Sequence, residues 1–150
     1  MIRVREFVWS DYDRVVALWT ATGRGVLPRA ELTATLTRDP QLFLVADVDA
    51  TVAAVVLGTY DGRRGMILRL AVDPAYRRRG IATLLVAELE RRFAALGCPR
   101  VNLLVLPEDT AALRFWQALG YAPQPDVLCT KPMGGSPDLS RGVAPASTMG

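Results

Sequence analysis

The chain has 150 residues, of which 51% are hydrophobic and 22% charged, and its formal net charge is +3. This length predicts one domain with a core of its own. Histidine is absent, which excludes histidine-based catalytic triads and histidine metal sites. Two cysteines do not form the disulfide framework of a secreted domain, so we expect a reducing, cytoplasmic environment.

The most apolar region, residues 42–60, carries Asp47 and Asp49 in its middle. Charges at that place predict a turn between two strands and argue against a membrane span. The first residues alternate between apolar and polar and show no signal-peptide block. We therefore expect no membrane partner.

Hydrophobic periodicity divides the rest of the chain into strands and helices. The predicted strands are residues 2–7, 41–47, 51–60, 66–72, 101–106 and 121–131. The predicted helices begin at Ser10, Pro28, Gly80 and Asp109, and end near Gly23, Asp39, Gly97 and Gly120. Short links between 41 and 72 predict an antiparallel meander, whereas the helix between 66–72 and 101–106 predicts a parallel crossover.

Two burial patterns can be predicted along these elements. The strand at 101–106 is apolar almost throughout, as expected of a strand buried on both faces. On the helix after Gly80, one face is apolar and should be buried; its members are Ile81, Leu84, Leu85, Leu89, Phe93 and Leu96. Residues 132–150 are rich in Gly, Pro, Ser and Ala, so we expect a mobile tail after a domain that spans 1–131.

One stretch suggests a binding site. The apolar residues 66–72 lead into an Asp73-Pro74 turn, three arginines (Arg77, Arg78 and Arg79) and Gly80, which opens a helix. Backbone N–H groups at a helix N-terminus bind anions, and arginine adds charge-assisted bonds to phosphate. A run of three arginines alone is also typical of a solvated surface. The two common nucleotide-binding glycine motifs, G-x-x-x-x-G-K-[ST] and G-x-G-x-x-G, are absent.

The surrounding sequence resembles the GNAT family of N-acetyltransferases. Residues 70–82, LAVDPAYRRRGIA, resemble its motif A, Q/R-x-x-G-x-G/A, through Arg77, Gly80 and Ala82. Residues 107–121, PEDTAALRFWQALGY, resemble its motif B, N-x-x-A-x-x-F-Y-x-x-L-G-F. The turn Tyr60-Asp61-Gly62 is similar to one in a bacterial, YpeA-like subgroup. The resemblance covers residues 2–131.

The resemblance implies an α/β (α+β) fold: a mixed, mostly antiparallel six- to seven-stranded sheet, helices on both faces, and one parallel strand-helix-strand crossover. It implies transfer of an acetyl group from acetyl-CoA to a primary amine, by direct attack and with no metal. The resemblance also implies three sets of contacts with coenzyme A. The phosphates are bound by Arg77, Arg78, Arg79, Gly80, Ile81, Ala82 and Thr83. The pantetheine arm pairs with the backbone of Leu70, Ala71 and Val72 and contacts Asp109 and Trp116.

The catalytic positions depart from the family pattern. The strands at 66–70 and 101–105 carry no carboxylate where members often have a glutamate base, and Trp116 replaces the usual tyrosine acid. A water chain to Glu31, Glu108 or Asp109 could carry the proton away, but these residues are also typical helix-start charges and a cap. We therefore assign no catalytic residue.

The acceptor side is predicted only coarsely, as residues 21–38 and the turn 61–65. Arg69 is the single charge on an apolar strand. It is either an exposed residue paired with a carboxylate or a selector of acceptors that bear a carboxylate.

Two rival functions follow from particular features. The missing tyrosine and glutamate favour a non-catalytic acyl-CoA-binding module, and the arginine cluster in a basic chain favours a nucleic-acid-binding protein. We expect no nucleic-acid partner because no aromatic residues alternate with basic ones along the chain. The resemblance also implies that a homodimer can form.

Overall fold

Five strands form one sheet in the computed structural model, which describes residues 1–134. Their order in the sheet is their order in the chain: β1 (Ile2–Glu6), β2 (Phe43–Val48), β3 (Thr51–Tyr60), β4 (Gly65–Val72) and β5 (Val101–Leu103). The first four pair antiparallel, and β4 and β5 pair parallel. The predicted meander and parallel crossover are both confirmed. Asp49 and Ala50 make the predicted turn between β2 and β3, with φ of 49° and 69°.

The strand count and the length of β5 differ from the prediction. The described residues contain five strands instead of six or seven, because residues 121–131 form no strand. Pro123 and Pro125 explain this, since neither has an N–H to donate to a ladder. β5 lies at the sheet edge and pairs with β4 over three residues only. Leu104 and Leu106 are consequently exposed, so the prediction of a strand 101–106 buried on both faces was wrong.

Two helices cover one face of the sheet: α1 (Tyr12–Ala21) and α2 (Arg29–Arg38). The Trp19 ring lies parallel to that of Phe43, with ring centroids 6.2 Å apart. Leu32 from α2 is fully buried in the same cluster. These contacts place the larger aromatic core between α1, α2 and the sheet.

The helix α3 (Ile81–Ala95) covers the opposite face. Gly58 follows Leu57 of the aromatic cluster, so the two residues face opposite sides of the strand. A Cβ on Gly58 would lie 2.8 Å from Leu89 and 3.0 Å from Phe93, so α3 packs directly on the β3 backbone. The predicted buried face of α3 is confirmed except at Leu84 and Leu96, which are exposed.

The chain divides after Leu104 into two units, and the second contains the helix α4 (Thr110–Ala118). The carboxylate of Asp109 accepts from the N–H of Ala112 at 3.0 Å, which confirms the predicted N-cap. Trp116 packs edge-on against Phe115 and Tyr121 within this unit. The predicted tail, 132–150, lies outside the described residues from position 135 onward. Within residues 1–134, no helix is long and apolar enough to cross a membrane.

Candidate functional site

A β-bulge interrupts β4 in its middle. Leu57 pairs with Leu68 but Val55 pairs with Ala71, so β4 has one residue more than β3 over this span. Arg69 takes up the difference with a φ of 53°, a left-handed conformation that is costly for a residue with a Cβ. A bulge leaves a residue outside the ladder and redirects its neighbours, and bulges are frequent next to active sites.

The bulge is held from α1 and from the loop that follows it. Trp19 donates from Nε1 to the Arg69 carbonyl at 3.2 Å, and Arg24 donates from Nε to the Leu70 carbonyl at 3.1 Å. In the opposite direction, Arg69 donates from Nε to the Gly25 carbonyl at 2.8 Å. Arg69 therefore attaches the loop at 22–28 to β4. This contact gives no support to the prediction that the Arg69 side chain selects acceptors that bear a carboxylate.

The edge of β4 on the β5 side is unpaired beyond the bulge. The parallel pairing with β5 ends at Ile67, and the described part of the chain provides no other strand on that side. Leu70, Ala71 and Val72, predicted to bind an extended ligand through the backbone, all lie in this segment, although the Leu70 carbonyl already accepts from Arg24. The geometry is suited to strand-like pairing with a ligand chain.

The turn after β4 is fixed by Asp73. One carboxylate oxygen accepts from the N–H of Ala75 at 2.9 Å, and the other accepts from Arg14 of α1. The Ala75 N–H and then the Arg14 guanidinium hold the pKa of Asp73 below its usual range. The carboxylate is thereby used to fix the turn.

The start of α3 presents unpaired N–H groups. The first intrahelical bond runs from the Leu84 N–H to the Gly80 carbonyl at 3.1 Å, and Gly80 has no side chain that could cap the helix. The N–H groups of Ile81, Ala82 and Thr83 are therefore available at the positive end of the helix. Gly80 has a φ of 73°, and a Cβ there would meet no protein atom within 4 Å. The backbone can be approached closely from outside at this point.

The three arginines surround this helix start. Arg77, Arg78 and Arg79 are all exposed, and none has an ion-pair partner among residues 1–134. Arg79 lies over the Tyr76 ring, 5.1 Å from its centroid. The structure thus brings together the predicted residues 70–72 and 77–83 at one end of β4. This arrangement of charge and N–H groups is suited to a phosphate-bearing ligand.

Asp109 and Trp116 belong to the second unit. The Asp109 carboxylate caps α4, and Trp116 is nearly buried, with its ring against Tyr121. Their contact with coenzyme A stays a prediction.

A cleft of about 790 Å³ opens on the other side of the bulge. Its walls are the last turn of α2, the β3–β4 turn and the first half of β4, and it includes Arg38, Asp39, Asp61, Arg64, Met66 and Leu68. Parts of both predicted acceptor segments, 21–38 and 61–65, therefore line one cavity.

Sequence reasoning missed Asp39, which it interpreted only as a helix stop, and Asn102 of β5, which it included in an apolar strand. No local signal distinguishes them, because the cleft forms only when β5 lies beside β4.

The charges of the cleft have different environments. Asp61 accepts from the N–H groups of Arg63 and Arg64 at 2.7 and 2.6 Å. The Arg64 N–H, followed by that of Arg63, lowers the pKa of this exposed carboxyl. Asp39 is only 9% exposed, and its carboxylate accepts no hydrogen bond from any residue in 1–134. The two carboxylates are therefore not equivalent: one fixes a turn, and the other is open to the cleft.

The other candidate proton carriers have ordinary positions. Glu31 is exposed in the first turn of α2, and Glu108 is exposed immediately before the α4 cap. Within the described residues, no group of three or more His, Cys, Asp or Glu side chains could hold a metal ion. Neither glutamate is placed by a contact that selects it for catalysis.

Comparisons with known proteins identify the family. The sequence pattern of the "Acetyltransferase (GNAT) family" matches residues 3–121, and the chain belongs to this family. An acetyltransferase from Photorhabdus laumondii is 41% identical over 123 residues, which cover 80% of this chain and 86% of the relative. An acetyltransferase from Yersinia pestis is 35% identical over 135 residues, covering 87% and 94%. The protein is therefore an acyl-CoA-dependent acetyltransferase, which confirms the predicted family and activity class. No comparison tests the YpeA-like subgroup.

Solved structures show the same fold. Ard1 from Thermoplasma volcanium superposes with a TM-score of 0.75 at 24% identity, covering 81% of this chain and 82% of that one. The aminoglycoside acetyltransferase AAC(6')-Iy, solved with a bisubstrate analogue, CoA-S-monomethyl-acetylneamine, gives 0.73 at 20%, covering 89% and 99%. The NatC complex, solved with Gag peptide and CoA, gives 0.75 at 20%, covering 82% and 86%. At these identities the likeness shows the fold, and the predicted GNAT fold is confirmed.

Proposed function

We propose that this acetyltransferase transfers the acetyl group of acetyl-CoA directly to a primary amine while both substrates are bound. The observation that carries the proposal is the position of β4 between two sites. Its end at 70–72 presents an open edge next to the anion-binding turn, and its start at 65–68 lines the cleft of about 790 Å³. Two substrates can thus meet at the bulge without a covalent enzyme intermediate.

We assign the donor to the turn and the open edge. The N–H groups of Ile81, Ala82 and Thr83 hold the pyrophosphate, with charge from Arg77, Arg78 and Arg79. The fit is supported at Gly80, where a Cβ would meet nothing in the protein and the backbone can therefore touch a ligand. Leu70, Ala71 and Val72 pair with the pantetheine arm through the backbone. Asp109 and Trp116 are assigned to that arm by family resemblance alone.

The bulge supplies the electrostatic part of the reaction. A residue outside the ladder can point its N–H at a developing negative oxygen, and such preorganised donors stabilise acyl-transfer transition states. The acceptor loses its extra proton to solvent and attacks as the neutral amine. The amine nitrogen bonds to the acetyl carbon, the carbon–sulfur bond breaks, the electron pair leaves with the sulfur, and the proton then lost by the nitrogen passes through solvent to the CoA thiolate. A thiol with a pKa of about 8.5 departs acceptably without a dedicated acid, since a positioned acid adds about 10²–10⁴-fold. Trp116 in place of tyrosine is compatible with this route.

The acceptor class is left at primary amines: a small molecule, a protein N-terminus or a lysine side chain. Related folds have been solved with the bisubstrate analogue CoA-S-monomethyl-acetylneamine and with Gag peptide. At 20% identity, neither of these bound ligands identifies the acceptor of this chain.

The proposal is tested by an acceptor screen. The purified protein is incubated with acetyl-CoA and, in turn, an aminoglycoside, a polyamine, a peptide with a free N-terminus and an N-acetylated peptide with one lysine. We expect release of CoA thiol that depends on one amine class, with a product heavier by one acetyl group. Initial rates against both substrates should give intersecting double-reciprocal lines. Parallel lines would contradict direct attack. If none of the amines in the panel causes release of thiol, the result would favour the non-catalytic acyl-CoA-binding module.

A further inference from the structure

Two acidic side chains are buried among residues 1–134, and they differ in their partners. Asp11 is 8% exposed and is fully paired: it accepts from both Nη atoms of Arg5 at 2.8 and 3.0 Å and from the Val8 N–H at 2.9 Å. Asp39 is 9% exposed; its backbone carbonyl accepts from the Leu42 N–H, but its carboxylate accepts no hydrogen bond from the described residues. Its nearest cation is the neighbouring Arg38, whose Nε lies 3.6 Å from Oδ2, beyond hydrogen-bond distance.

Among the described residues, no side-chain oxygen that is shut off from solvent lacks a hydrogen-bond partner, so the unbonded carboxylate oxygens of Asp39 remain accessible in the cleft. Arg38 forms an ion pair with this carboxylate but donates no hydrogen bond to it, and its side chain is 61% exposed. Asp39 lies in the wall of the acceptor cleft, which it shares with Thr59 and Leu68. Leu68 directly precedes the bulge. The missing donor can therefore come from a molecule that occupies the cleft close to the bulge.

We propose that Asp39 binds the ammonium group of the acceptor and so determines the specificity of the enzyme for amines that are protonated in solution. This assignment rests on the proposed function of the cleft as the acceptor site. An ammonium has three N–H donors and a full charge, which matches a carboxylate with free lone pairs in a partly dry wall. The site recognises cationic alkyl amines and discriminates against neutral molecules of the same shape, which would leave the carboxylate unpaired.

The first experiment measures the melting temperatures of the ligand-free wild type, Asp39→Asn and Asp11→Asn. A structural carboxylate loses its partners on substitution, so Asp11→Asn should lower Tm clearly. Asp39→Asn should leave Tm nearly unchanged or raise it, because the Asp39 carboxylate accepts no hydrogen bond that the substitution would break. A fall in Asp39→Asn as large as that in Asp11→Asn would show a structural role and overturn the proposal.

The second experiment titrates n-butylammonium, with n-butanol as the neutral match, into the CoA-saturated protein and follows the backbone amide NMR signals. The control variant is Asp13→Asn, which removes the same charge from an exposed position on α1. We expect saturable binding of butylammonium to the wild type and to Asp13→Asn, and binding at least about tenfold weaker to Asp39→Asn. Equal binding to Asp39→Asn, or preference of the wild type for butanol, would overturn the proposal.

The two proposals fail in different ways. If some amine of the acceptor screen is acetylated, the KM for that amine should rise about tenfold in Asp39→Asn, and an unchanged KM overturns the assignment of Asp39 alone. If no amine is acetylated but butylammonium binding depends on Asp39, the proposed transfer to these amines fails and the ammonium site stands.

Discussion

Gly80 combines a backbone requirement with a binding role. Its φ of 73° lies in the left-handed region, where a residue with a Cβ costs about 1–2 kcal/mol. A Cβ there would meet no protein atom within 4 Å, so strain is the only structural penalty. In the donor complex the same Cβ would stand where we place the pyrophosphate. We predict that Gly80→Ala lowers Tm by about 2–8 °C and raises the KM for acetyl-CoA about tenfold.

The chain contains a matched control at the other end of α3. Gly97 has a φ of 78° and also has nothing within 4 Å of an added Cβ. Gly97→Ala should lower Tm to the same extent and leave the KM for acetyl-CoA unchanged. Thermal melting and steady-state kinetics on both variants separate strain from binding. An equal rise in KM in the two variants would contradict our placement of the phosphates.

Other residues show where sequence reasoning stops. Arg77, Gly80 and Ala82 could be predicted because the spacing of motif A is local and independent of the rest of the fold. Arg69 could not be recognised as a bulge, because its φ of 53° results from the register between β3 and β4. Asp39 could be predicted only as a helix stop, since the cleft that it lines is completed by distant residues, from Thr59 to Asn102.

At the scale of elements, α3 is attached to β1 through a charged network. Glu88 accepts from Arg91 at 2.6 Å and from Arg92 at 2.7 Å, and Arg92 also donates to Glu6 at 2.7 Å. Hydrogen bonds from Arg91 and then Arg92 lower the pKa of Glu88 from 4.5 to about 2. Because the folded state has the lower pKa, the stabilisation is present above pH 4.5 and is lost as the pH falls towards 2.

We therefore predict that Glu88→Gln lowers the free energy of unfolding at pH 6–7 by up to about 1 kcal/mol, the range of exposed ion pairs. The difference from the wild type should shrink between pH 4.5 and about 2, where the wild-type carboxylate becomes protonated. Urea unfolding at a series of pH values measures it, with the exposed Glu108→Gln as the charge control. A difference that stays constant down to pH 2 would show that the ionised carboxylate is not responsible.

The elements themselves were predicted where their signals are local. Periodicity, with glycine stops for three helices and the Asp39-Pro40 stop for α2, placed α1 to α4 and the strands β1 to β4, because each pattern is complete within its own segment. The pattern failed at the sheet edge. An apolar run predicts burial, yet β5 has a strand on one side only and ends after three paired residues, so Leu104 and Leu106 are exposed. The strand predicted at 121–131 is absent because Pro123 and Pro125 have no N–H to donate to a neighbouring strand.

For the molecule as a whole, the assignment of the anion-binding turn predicts how ligands stabilise the protein. A ligand at 100 times its Kd stabilises the folded state by about 2.7 kcal/mol, which corresponds to a rise in Tm of about 5–11 °C for a chain of this size. We predict this rise for CoA at that ratio, determined by calorimetric titration. At the same molar concentration, pantetheine, which lacks the pyrophosphate and the nucleotide, should raise Tm by less than half as much. In Gly80→Ala the CoA shift should fall towards the pantetheine shift, whereas in Gly97→Ala it should not. Equal shifts by the two ligands in the wild type would mean that Arg77 to Thr83 do not bind the phosphates, although the family and fold would be unaffected.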